Sequence, residues 1–95
     1  VSRPEVIDHG TVDAALEGSP WRREGDELVL EQRFASFPAA LGFVTSVGAL
    51  AEARDHHPDF ELRYRDVRLV LSTHEVGALT ARDLALAKEV SELLG

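Results

Sequence analysis

The chain has no cysteine and no methionine, one tryptophan, one tyrosine, and a single lysine among its 10 basic residues. Without cysteine there is no disulfide, no thiolate nucleophile and no cysteine-based zinc site. Positive charge is also scarce: 10 Lys and Arg stand against 17 Asp and Glu, a formal charge of −7. Nucleic acid, which needs clustered Lys and Arg for its phosphates, is a poor match for such a chain. An anionic membrane surface is equally poor. Apolar runs last only a few residues, far short of the roughly 20 that span a bilayer. The opening Val1-Ser2-Arg3-Pro4-Glu5 lacks the apolar stretch of a signal peptide. A cytoplasmic protein that binds neither nucleic acid nor membrane is the expectation.

What remains is a globular composition. Of 95 residues, 44% are hydrophobic and 28% charged, enough for one modest core. No repeat, linker or low-complexity stretch divides the chain, so residues 1–95 are expected to form a single domain, with 1–10 as a loose arm. Thr11 is placed to cap a short helix over 12–17 that Gly18 ends. After Ser19-Pro20, Trp21 opens a polar segment that turns at Gly25-Asp26 into a strand over 27–34, with Leu28, Leu30 and Phe34 on one face. Ser36 caps a long helix with Pro38 in its first turn, and Phe43, Val44, Val47, Leu50 and Ala51 form its apolar stripe. Pro58 stops this helix near His57. Phe60, Leu62 and Tyr64 alternate with charged residues as one strand, with all three side chains inward. A turn at Arg65-Asp66 leads into a second strand over 67–73. Thr80 and Asp83 mark the start of the last helix as a capping box, with Leu79 and Leu84 as its staple. Leu84, Ala87, Val90 and Leu94 form its buried stripe. The order α-β-β-α-β-β-α gives an α+β fold: a four-stranded antiparallel sheet with helices on one face.

Three of the four histidines are bunched with acidic residues. Glu52 and His56 lie four apart and so share a helix face. His57 follows at the helix end, and His74 leaves the second hairpin. Asp83 sits in the first turn of the last helix. Imidazoles give and take protons near neutral pH, and a carboxylate fixes their tautomer and orientation. Two or three around one cavity suit an elimination without a covalent nucleophile. Each residue also has a plainer role: a solvated His at a helix end, Asp83 as a cap, Trp21 and Tyr64 as core aromatics. A metal site would draw on Glu52, His56 and His74. However, adjacent His56 and His57 on a helix point about 100° apart, and no His-Glu-x-x-His signature is present. No metal and no cofactor are expected.

Taken together, Glu52-x-x-x-His56-His57-Pro58, then Tyr64, His74 and Asp83 at their spacings, resemble the signature of the pterin-4a-carbinolamine dehydratases. Trp21 ahead of the first hairpin, Phe34 and Phe37 before the long helix, Thr73-His74 and Gly77-Ala78-Leu79-Thr80 extend the resemblance over about residues 16–90. Ala78 departs from the family's second glycine. The resemblance implies an α+β fold of the kind just read and dehydration of 4a-hydroxytetrahydropterin to quinonoid dihydropterin, in recycling of a tetrahydrobiopterin-type cofactor. It implies His56, His57, His74 and Asp83 as catalytic residues, with Trp21, Glu52 and Pro58 at the reduced-pterin substrate. It also implies a homodimer or homotetramer. Some members of the family bind protein partners, so a non-catalytic assembly module on the same fold is the alternative. Gly42, Gly48, Ala49 and Ala53 permit close approach of the long helix either to its own sheet or to a partner helix.

Overall fold

The computed structural model describes residues 3–95; Val1 and Ser2, the outer end of the expected arm, lie outside the described residues. Seven elements follow in the expected order: α1 (His9–Ala15), β1 (Trp21–Glu24), β2 (Glu27–Arg33), α2 (Phe37–Arg54), β3 (Asp59–Arg63), β4 (Asp66–Leu71) and α3 (Ala81–Leu94). The strands form one antiparallel sheet in the order β1-β2-β4-β3. Period-two alternation sends Leu28, Leu30, Val67, Leu69 and Leu71 to the helix-covered face. There they join Val12 of α1, Phe43 and Val47 of α2, and Leu86 and Val90 of α3 in one core.

The open face is a charged lattice. Arg22 of β1 donates to Glu31 of β2 at 2.9 Å, and Arg68 of β4 stands between Glu31 (3.5 Å) and Glu61 of β3 (3.6 Å). Val29 and Val70 are buried on this face too. Long arginine and glutamate stems cover apolar surface while their heads stay wet, which is why alternation alone did not mark these valines as buried.

Local chemistry moved several boundaries. The first helix is capped by Asp8 rather than Thr11: Oδ1 accepts the Thr11 N–H at 2.9 Å and Oδ2 its hydroxyl at 2.8 Å. An ionised carboxylate offers two acceptors where a hydroxyl offers one site. The inner end of the arm is fastened, since Ile7 N–H donates to the Leu79 carbonyl at 2.9 Å and Val6 bridges Thr80. Arg63 pairs with Asp66, so the second hairpin turns at Tyr64-Arg65, one residue before the expected Arg65-Asp66. Tyr64 takes φ +53° in that turn and is 69% exposed, not in the core. Phe60 and Leu62 do oppose Leu69 and Val67, but on an edge strand where the helical cover thins, and Phe60 is 38% exposed. In α3 the fully buried residues are Asp83, Leu86, Ala87 and Val90, with Leu84 and Leu94 only partly covered. The helix is rolled so that Asp83 faces inward.

The end of α2 matters most for the site. The helix stops at Arg54, short of the expected His57. Asp55 adopts a left-handed conformation (φ 50°, ψ 43°) and His56 N–H reaches back to the Ala51 carbonyl at 3.0 Å. This is a Schellman closure, with Asp in the place glycine most often fills. His56, His57 and Pro58 therefore run in an extended link between α2 and β3.

Candidate active site

That link puts the two adjacent histidines in different environments. His56 turns inward and is 8% exposed; its Nε2 lies 2.7 Å from Oδ1 of Asp83, which is 0% exposed. With Asp83 as a carboxylate, which only accepts, this contact makes Nε2 the donor and leaves Nδ1 as the nitrogen for chemistry. His57 turns outward, and its Nε2 lies 2.8 Å from Glu52 Oε1. Glu52 and His56 do not share a helix face as expected, because the helix ends at Arg54, before His56. Glu52 serves its other neighbour instead.

Asp83 is held from three sides. Oδ2 accepts the Thr80 N–H at 2.9 Å, completing the capping box, and the Thr73 hydroxyl at 2.7 Å; Oδ1 faces His56. Thr73 begins a tight loop closed by a bridge to Ala78: Thr73 N–H donates to the Ala78 carbonyl at 3.0 Å. Gly77 supplies the positive φ (+61°) that the loop's return requires. His74, next in the chain, projects from this loop and is exposed.

His56, His57, Pro58, Thr73 and His74 line one cleft of about 360 Å³, within the size range of small-molecule sites. Asp55, Asp59, Ser72, Glu75 and Arg82 complete its wall, and Arg82 is paired with Glu75 at 2.6 Å. The mouth is thus acidic, with its one arginine already matched. Among the described residues no three His, Asp or Glu side chains are grouped to hold a metal ion.

Of the residues singled out in the sequence, the fold brings His56, His57, Pro58 and His74 to one cleft, with Asp83 behind His56 and Glu52 behind His57. Trp21 is not among them. Its ring is buried and its Nε1–H donates to the Ala87 carbonyl of α3 at 3.0 Å, beside a separate apolar groove with Leu16 and Leu84. Thr73 and Thr80 entered the sequence reading through the resemblance and the helix cap, not as site residues. The available signal was their position, one beside a histidine and one at a helix cap. A larger hollow of about 540 Å³ on the open sheet face is lined by Glu31, Arg33, Glu61 and Arg68 and contains no histidine.

Fold and cleft together define an α+β protein with three imidazoles on one cleft, two of them backed by a carboxylate. The chain belongs to the pterin 4 alpha carbinolamine dehydratase family, whose family model matches residues 5–93. A relative in Chloroflexus aurantiacus named for pterin-4-alpha-carbinolamine dehydratase is 52% identical over 97% of this chain and 99% of its own. One so named in Thermomicrobium roseum is 46% identical over 92% of this chain and 95% of its own. Among solved structures, a transcriptional coactivator/pterin dehydratase from Brucella melitensis superposes with a TM-score of 0.90 at 24% identity, covering 96% of this chain and 100% of that one. A pterin dehydratase-like protein identified as a RuBisCO assembly factor in the alpha-carboxysome shares the fold with a TM-score of 0.65 at 22% identity, covering 81% of this chain and 89% of that one.

Proposed function

We propose that this chain dehydrates a 4a-hydroxytetrahydropterin to the quinonoid dihydropterin by histidine acid–base catalysis, recycling a tetrahydrobiopterin-type cofactor in the cytoplasm. The observation that carries the reading is the buried His56–Asp83 pair opening onto the same cleft as His57 and His74. The reaction needs a proton delivered to the 4a-hydroxyl and one removed from N5. As the C4a–O bond breaks and water leaves, the N5–H electron pair forms the C4a=N5 double bond. Substrate and products then balance with no redox step and no covalent enzyme intermediate.

In this reading His56 works through Nδ1, because Nε2–H is committed to Asp83. Protonated, it donates to the leaving hydroxyl; neutral, it accepts from N5–H. His74 is the second proton carrier, and His57, steadied by Glu52, completes the imidazole set. Pro58 shapes the wall. Trp21 packs α3 and takes no part within one chain. A hydroxyl leaving group protonated in the transition state is worth about 10²–10⁴ in rate.

The alternative, a non-catalytic assembly module, takes its support from the related fold of the assembly factor. Chemically generated 4a-hydroxytetrahydropterin separates the two. Turnover well above the buffer rate, unaffected by chelators, is expected of the enzyme. A rate equal to buffer removes the enzyme reading and leaves the module.

The same reading includes a homo-oligomer. A Cβ added at Gly42 or Gly48 meets nothing within 4 Å, so these two glycines are not needed for close packing of α2 on the chain's own sheet. Phe37 and Leu41 on that helix, and Phe60 on the edge strand β3, are exposed. These faces suit a second copy.

A further inference from the structure

We infer that Thr73 is a positioning residue whose hydroxyl couples the His56–Asp83 pair to the loop that carries His74. The inference rests on the proposed acid–base site, in which both histidines must be aligned on one substrate.

Counting protons fixes the direction of every bond. Asp83 Oδ2 only accepts, so the Thr73 hydroxyl, 2.7 Å away, donates to it. Thr73 Oγ1 also lies 2.8 Å from Thr80 Oγ1. Its single proton being spent on Asp83, Thr73 accepts there and Thr80 donates. Thr80 Oγ1 in turn accepts the Arg82 N–H at 3.2 Å. Donation runs from the Thr80 hydroxyl to the Thr73 hydroxyl and from there to the Asp83 carboxylate, which accepts His56 Nε2–H on its other oxygen. Thr73, Thr80 and Asp83 are all at most 1% exposed, so water cannot replace a lost partner without opening the core.

Thr73 also fixes His74 through the backbone. Its carbonyl accepts N–H groups from Val76 (3.2 Å) and Gly77 (3.0 Å), and its own N–H closes the loop on Ala78. One residue thus sets the orientation of the carboxylate behind His56 and the origin of the loop bearing His74. A capping box alone needs only Thr80 and Asp83; the added hydroxyl holds Oδ2 so that Oδ1 points at His56. Misplacement of a catalytic group by about 1 Å costs on the order of 10²-fold.

The test compares Thr73→Val, which keeps shape and removes the hydroxyl, with Thr73→Ser, which restores it. The expected result is kcat lowered by about 10- to 100-fold in the valine variant with KM within about twofold, and near-wild-type kcat in the serine variant. A second readout is independent of turnover: the low-field proton NMR signal of His56 Nε2–H, expected to be displaced or broadened by Thr73→Val and retained by Thr73→Ser. If the valine variant does not fold, Thr73→Ala removes the same hydroxyl without filling the site. Unchanged kcat in the hydroxyl-less variant, or a change in KM alone, overturns the inference. If the wild type itself does not dehydrate the pterin, the proposed function fails and the NMR signal decides this point alone: an unmoved signal overturns it, and a displaced one sustains it.

Discussion

At Asp83 a helix cap and the carboxylate behind a histidine are the same side chain. The spacing Thr80-x-x-Asp83 made the cap legible, and the spacing from His74 made the family role legible. Neither revealed that the residue is fully buried, since a cap usually faces water. That burial depends on how α3 is rolled against β4 and the end of α2, which no local pattern encodes. Tyr64 shows the converse. Its alternation with Phe60 and Leu62 read as a strand face, yet it sits at the first central position of a two-residue turn with positive φ. No turn residue marks the site, because Asn or Gly is absent there. Left-handed geometry disfavours β-branched side chains most. Tyr64→Val is therefore expected to destabilise the protein by about 1 kcal/mol and Tyr64→Gly not to destabilise it. This is the reverse of the order for a strand position. Urea unfolding of the two variants checks it, and a glycine variant less stable than the valine one contradicts the turn strain.

At the scale of elements, the hairpins and the two longer helices were readable because period two and period 3.6 are distinct over their lengths. Apart from the roll of α3, which buries Asp83 and Leu86 rather than Leu84 and Leu94, the errors fell at ends: the cap of α1, the end of α2 and the second turn. There a single hydrogen bond or a left-handed residue decides, as Asp8 and Asp55 did. Side-chain pairs join α1, β1 and β2. The Arg23 guanidinium holds the Asp13 carboxyl below the ordinary range by hydrogen bonding, and Arg22 does the same for Glu31. The Thr11 backbone N–H lowers Asp8 in the same way. Because the folded values are depressed, these groups favour the fold above the ordinary carboxylate range. That contribution is lost as pH falls through their depressed values. The urea midpoint, followed by the fluorescence of the sole tryptophan at the start of β1, is expected to fall as pH drops from about 5 to about 3. Glu31→Gln should lessen the fall. A midpoint flat across that interval, or an unaltered slope in the variant, would count against these pairs.

For the whole molecule, the element order and the one-sided layering followed from the sequence, but the strand order β1-β2-β4-β3 did not. Each hairpin pairs locally, whereas the choice of β4 rather than β3 as neighbour of β2 is made by where α2 returns the chain. The sequence also left open what the small residues of α2 serve; with empty space over Gly42 and Gly48, these two glycines are not needed for close packing on the chain's own sheet. The proposed oligomer follows, with a mass about two or four times the 10.4 kDa of one chain by light scattering after size exclusion. A Cβ at Gly42 meets nothing within 4 Å in its own chain, and Gly42→Arg is expected to shift the mass downward with the fold intact. A monomer at all micromolar concentrations contradicts the assembly.

The most direct test of the histidine cleft is the dehydration rate of chemically generated 4a-hydroxytetrahydropterin with the wild-type protein and with the His56→Ala/His74→Ala double variant. Circular dichroism of both establishes that the fold is retained. Catalysis by the wild type and a loss of at least about 10²-fold in kcat in the variant is the expected result. A folded double variant that retains more than about a tenth of the wild-type kcat would place the chemistry elsewhere.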